Sequence, residues 1–243
     1  MAVPALAQQM DAEEPVEEVF QAELVYPQEH GALQLSLAPW FTSITHQQTG
    51  QTSFTVEYGL TDAWQVEVEW HGFGYGAARA SETLEVGTKY SLLNVFGSTL
   101  HLAVGSELEV PVRGEEASVE LEPYVILAHD FPRLAGLHVF AQAAAGFAFG
   151  SSKDDILAEE EEESAWNAHL GAFLPTNLAI FTAELNGFHQ EEGTLFYATP
   201  GVVWDLPGNW QIGLGVPIGL TDGADRFRLV GLLTYEFEFF NDD

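Results

Sequence analysis

Trp64-Gln65-Val66-Glu67-Val68-Glu69-Trp70 alternates without exception between residues a bilayer accepts and residues it rejects. A strand sends successive side chains to opposite faces. This heptapeptide therefore has one apolar face ending in Trp64 and Trp70, and one face of Gln65, Glu67 and Glu69. Aromatic residues at both ends of an apolar band suit the two interfaces of a membrane. The same period of two runs to the end of the chain, where Leu233, Tyr235, Phe237 and Phe239 alternate with Thr234, Glu236 and Glu238.

Working outward from that segment, turn-forming clusters divide the sequence into twelve predicted strands. They span 32–45, 52–60, 63–71, 82–91, 99–110, 117–128, 137–149, 165–174, 177–188, 194–204, 209–218 and 227–239. Connectors alternate between tight turns, such as Gly59-Leu60-Thr61-Asp62, and longer acidic or glycine-rich stretches, such as 72–81 and 150–164. The expected fold is all-β: a single antiparallel up-and-down transmembrane β-barrel of about 12 strands, with short periplasmic turns and longer extracellular loops. An even count places both termini on the periplasmic side. The facing of 197–203 reads either way.

The bulk composition agrees. The chain has 243 residues, no cysteine, 37 acidic and 7 basic residues, and a formal charge of −30. Such acidity repels nucleic acid, and 47% hydrophobic residues argue against disorder. No run approaches about 18 consecutive apolar residues, so a membrane span would have to be made of strands. The barrel is assigned to 31–240. Residues 1–7, with Ala5-Leu6-Ala7, read as the end of a signal peptide, and 8–30 as a flexible acidic tail.

Assigning faces puts Leu33, Leu35, Leu37, Phe54, Val56, Val104, Val139, Ile212, Leu214 and Leu233 outward, with almost no charge among them. A soluble sandwich would hydrate that face instead. The lumen receives the carboxylates of Glu57, Glu67, Glu69, Glu85, Glu107, Glu109, Glu120, Glu122, Glu184, Glu236 and Glu238, against only Lys89 and Arg228. Inward small residues (Gly87, Ala103, Gly105, Ala144, Gly146, Gly213, Gly215) read as open space, and Phe140, Phe173 and Trp204 as side chains that narrow it.

Part of the wording resembles a bacterial outer-membrane barrel family described as transporters or as the MetA-type pathway of phenol degradation. The likeness rests on Glu85-Val86-Gly87-Thr88-Lys89-Tyr90-Ser91-Leu92-Leu93, Leu108-Glu109-Val110-Pro111, Thr199 to Trp204, Asn209 to Leu220 and Tyr235 to Phe239. It covers roughly 60–240. The resemblance implies a barrel with a passive-transport role and brings no catalytic residues with it. Asn241-Asp242-Asp243 depart from the pattern, because such chains usually end on an aromatic residue.

Two functional expectations follow. In the first, the barrel is an outer-membrane channel for small solutes, lined by Glu67, Glu69, Glu85, Lys89, Glu107, Glu109, Glu120, Glu122, Glu184 and Arg228. Acidic rings focus field in a low-dielectric wall and favour cations; neutral or aromatic molecules are the other class. Twelve strands about 4.8 Å apart and tilted about 40° give a backbone diameter of about 24 Å and leave about 10 Å inside. In the second, inward side chains close the barrel and it acts through acidic loops, including Glu159 to Glu163. Expected partners are outer-membrane lipids, small-molecule or ion solutes and the barrel-assembly machinery. No cofactor, resident metal or enzymatic activity is expected: His71, His101, His138 and His169 fall on separate strands with no evidently paired serine.

Overall fold

The structure is a computed structural model, and it describes residues 19–44, 47–76, 82–113, 118–149, 164–190 and 193–238. Among them, thirteen strand segments form one sheet: β1 (Ala32–Ile44), β2 (Gln47–Thr61), β3 (Trp64–Tyr75), β4 (Glu82–Leu92), β5 (Leu100–Arg113), β6 (Val119–Phe131), β7 (Leu137–Phe149), β8 (Ser164–Pro175), β9 (Ile180–Gln190), β10 (Gly193–Leu206), β11 (Trp210–Gly215), β12 (Ile218–Gly219) and β13 (Arg228–Glu238). Segments β11 and β12 are halves of one barrel strand, both paired with β10. Pro217, which has no N–H to give, interrupts it. Bonds from Val216 N to Pro200 O (3.0 Å) and from Arg228 N to Pro217 O (2.8 Å) carry the connection across the break.

Each strand pairs antiparallel with its neighbour, and β13 returns to β1 with Leu33 opposite Phe237, Leu35 opposite Tyr235 and Leu37 opposite Leu233. The sheet closes as a twelve-stranded antiparallel barrel, as expected. Closure leaves no unpaired edge, which is the condition for strands to cross hydrocarbon. One end carries tight turns. That between β10 and β11 requires two successive left-handed residues, and Gly208 (φ 82°) and Asn209 (φ 61°) fill the positions. We call this the turn end and the other the loop end.

The two faces invert the usual globular arrangement. Outward lie Leu37, Phe54, Val68, Val104, Leu127, Leu170, Leu185 and Leu214, each more than a third exposed. Aromatic residues gird both ends of this belt: Trp64, Tyr90 and Trp210 at the turn end, Phe41, Phe147 and Trp166 at the loop end. Such a surface is stable only against lipid. Inward lie buried polar residues, among them Gln34, Gln65, Thr199 and Thr234.

Three expectations need correcting. Strand β2 begins at Gln47 rather than 52, because hairpin pairing carries the polar Gln47–Gln51 stretch beyond the apolar belt that marked the strand. Trp204 faces outward, 38% exposed, and Val203 takes the inward position. Most consequential, residues 19–30 are not a free tail: Leu24, Val25, Tyr26 and Gln28 are buried inside the barrel. The signal-peptide end at 1–7, tail residues 8–18 and the glutamate run at 159–163 lie outside the described residues.

Candidate functional site

The lumen divides into a filled turn-end half and an acidic loop-end half. The chain enters beside β1, where Gly31 N donates to Gly59 O (2.9 Å). Gln28 then joins a buried polar ladder: its N–H donates to Gln65 Oε1 (2.9 Å), while Gln34 and Gln65 each donate to Glu57 (both 2.6 Å). Gln28, Gln34, Gln65 and Glu57 are all buried and bonded to one another, which fixes the entry of the segment.

Tyr26 docks on a second network. Asp130 accepts from both His101 Nε2 (2.8 Å) and His138 Nδ1 (2.6 Å), and the Tyr26 hydroxyl lies 3.2 Å from the same Asp130 oxygen. Asn94 N donates to His101 Nδ1 (3.1 Å), so the hydrogen of that ring sits on Nε2, towards Asp130. Leu24, Val25 and Tyr26 pack with Ile126, Phe140, Phe173 and Val203 as one apolar cluster in the lumen. Phe140 and Phe173 thus narrow the barrel as expected, each 1% exposed.

At mid-barrel, Phe20 lies on a bed of glycines. A Cβ at Gly201 or Gly215 would collide with its ring, and one at Gly213 would press tightly on it. Phe20 N and Gln21 N both donate to the Glu184 carboxylate (3.0 and 3.1 Å). Glu23 N donates to Gln142 Oε1 (2.8 Å), and Lys89 Nζ reaches Glu23 Oε2 at 3.2 Å. The glycines that read as open space are therefore covered: Gly213 and Gly215 by Phe20, Gly87 by Glu67, Gly105 by Tyr124 and Gly146 by Glu120.

Towards the loop end the register builds two acidic rows across four strands. Glu69, Glu85, Glu109 and Glu120 stand opposite one another from β3 to β6. One inward position nearer the turn end, Glu67, Gly87, Glu107 and Glu122 form the second row. Like charges directly opposite each other on a sheet destabilise it. Relief among the described residues is partial: His71 sits 3.3 Å from Glu69 and 3.8 Å from Glu85, Asn167 Nδ2 donates to Glu122 (2.8 Å), and Gln65 Nε2 donates to Glu67 (3.4 Å). A cavity of about 240 Å³ lies between Glu85, Glu107, Glu109, Glu120 and Glu122 on one side and Asn167 and Phe188 on the other. A second, of about 330 Å³, lies between them and the threaded segment.

The structure thus brings Glu67, Glu69, Glu85, Glu107, Glu109, Glu120 and Glu122 together on one wall. It sets apart the remaining expected residues. Glu184 is taken up by the segment's amides, and Lys89 by Glu23. Arg228 lies at the loop end, bound to Asp225 (2.7 Å) and the Tyr197 hydroxyl (3.1 Å) and stacked near the Trp40 and Tyr197 rings. The sequence reading missed Phe20, Glu23, Tyr26 and Asp130. The available signal was the apolar group Leu24-Val25-Tyr26 inside an otherwise acidic stretch.

Comparison with known proteins places the architecture. The chain matches the KdgM porin over 84% of its own length and 99% of that chain, at 11% identity and a TM-score of 0.60. It matches the NanC porin over 84% of its length and all of that chain, also at 11% identity and 0.60. The fold is that of an outer-membrane porin. No protein-family model matches the sequence, and no curated protein matches it.

Proposed function

We propose that this barrel is a passive outer-membrane channel for small solutes that favours cations, with residues 19–30 acting as a plug that must shift before anything larger than water passes. The observation that carries this reading is the pair of glutamate rows on β3–β6. Seven carboxylates on four adjacent strands cost stability, and cations drawn from solution would offset that cost. A field of this sign concentrates cations and repels anions at the mouth.

Neutral aromatic solutes, the class implied by the resemblance to phenol-pathway barrels, would find Phe188 as their apolar contact beside the glutamates. Delivery of the closed barrel to the membrane falls to the barrel-assembly machinery. A second reading has its own support: the plug is anchored at Glu184, Asp130 and Gln65, which favours a closed barrel that acts through its outer surface.

Single-channel recording of the full chain in planar bilayers, under a salt gradient, separates the two. Cation-selective steps whose reversal potential collapses in the variant Glu69→Gln/Glu109→Gln/Glu120→Gln/Glu122→Gln support the channel. A silent bilayer containing correctly inserted barrel sinks it in favour of the closed reading.

A further inference from the structure

The acidic rows contain one position without a side chain. Gly87 on β4 is flanked by Glu67 on β3 and Glu107 on β5, and a Cβ there would collide with Glu67 Oε1. The glycine lets the two carboxylates lean towards each other across β4, where Glu85 joins them from the next inward position. One oxygen from each of Glu67, Glu85 and Glu107 lies within 4.8 Å of the others.

Two buried groups near this convergence lack partners. Glu67 is 4% exposed, and its Oε1 has no hydrogen bond. The Tyr124 hydroxyl, on a residue 5% exposed, also has none. Tyr124 stands opposite Gly105 and its hydroxyl lies over that glycine, one inward position along β5 from Glu107. A buried polar atom left without a partner costs about 1–3 kcal/mol. Two such atoms around three converging carboxylates suit a positively charged ligand that carries water.

We propose that Glu67, Glu85 and Glu107 bind one divalent metal cation of the Ca²⁺ type, with the Tyr124 hydroxyl holding a water of its hydration shell. The donors are all carboxylate oxygens, which suit hard cations. A Ca²⁺ bound at about 2.4 Å bridges oxygens up to about 4.8 Å apart, whereas Mg²⁺ at about 2.1 Å requires a tighter set. Site and transport are separable, because the ion binds the wall whether the lumen conducts or is plugged.

The test is Ca²⁺ titration by calorimetry of the full chain refolded in detergent micelles and stripped with chelator, at about 0.15 M salt to screen diffuse attraction. Heat-modifiable gel mobility verifies that each variant is folded. One saturable site per chain is expected. Glu107→Gln should weaken it by at least about tenfold, since ligand charge sets affinity in such sites. Gly87→Ala leaves every charge in place and fills only the space, so it should weaken the site comparably, while Glu120→Gln in the other row has a much smaller effect. Absence of saturable binding overturns the proposal. So does an affinity reduced equally by Glu107→Gln and Glu120→Gln and untouched by Gly87→Ala, because that pattern describes a diffuse ion cloud. If cation-selective conductance persists without saturable binding, the site fails and the channel stands.

Discussion

Lys89, 3% exposed on the barrel wall, holds Glu23 of the threaded segment at 3.2 Å. It joins barrel and plug by charge in a lumen otherwise dominated by carboxylates. Replacing it with an uncharged residue leaves Glu23, and with it the nearby Glu67, without that countercharge. Breaking a fully buried pair costs about 3–5 kcal/mol, and the third of Glu23 that is exposed lowers this to about 2–3 kcal/mol. Lys89→Met should therefore shift the urea midpoint down. Adding Glu23→Gln should restore part of the loss, and a double variant no better than the single would refute the coupling.

The Glu184 carboxylate accepts two backbone N–H bonds from the plug. Hydrogen bonds to a charged acceptor contribute about 1.5–3 kcal/mol each. In Glu184→Gln one oxygen remains to accept, uncharged, so the amides of Phe20 and Gln21 should exchange with deuterium about tenfold faster or more. Amides of the barrel strands should be unaffected. Unchanged protection at Phe20 and Gln21 would show that this anchor is dispensable.

Gly201 and Gly215 leave room for the Phe20 ring and for nothing larger than hydrogen of their own, and Gly213 lies in close contact with the same ring. Gly215→Val should expel the ring, and Phe20→Ala should vacate the same place at a cost of about 2 kcal/mol in lost burial. Both variants should raise the open probability in single-channel records and expose the segment to limited proteolysis. Equal protease resistance in wild type and Gly215→Val would contradict the fit.

The lipid belt makes a separate prediction. Leu185 stands at the middle of β9, faces outward at 52% exposure and is paired with Leu170. Arginine at the midplane of a barrel's lipid face costs about 2–4 kcal/mol. Leu185→Arg should lower the stability of the barrel in lipid vesicles by that amount and much less in loose detergent micelles. A similar loss in both media would place Leu185 away from the bilayer core.

What could be read in advance follows the range of the interactions. The alternation in Trp64–Trp70 is a property of adjacent residues, so strand, facing and barrel all follow from it. Parity vanishes where apolar residues adjoin, and Gly201-Val202-Val203-Trp204 concealed which way Trp204 points. The acidic wall was legible in composition, but its two rows were not, since they depend on the register between β3, β4, β5 and β6. The plug was the least visible element. Phe20 meets Glu184 across 164 positions of sequence, and Tyr26 meets Asp130 across 104. Glycine on a strand gave a sign of room but none of what fills it.

The bed of Phe20 has a bearing on the order of events during biogenesis. Its parts, Glu184, Gly201, Gly213 and Gly215, belong to β9, β10 and β11, whereas its occupant precedes β1 in the chain. The early residues must wait unhoused until β9, β10 and β11 have been added, and contacts of such sequence separation form slowly. Because the seam between β1 and β13 closes next to where the segment enters, ring closure and seating share a doorway. The N-terminal segment thereby reports on completion: it finds its berth only in a barrel whose final strands are already in place.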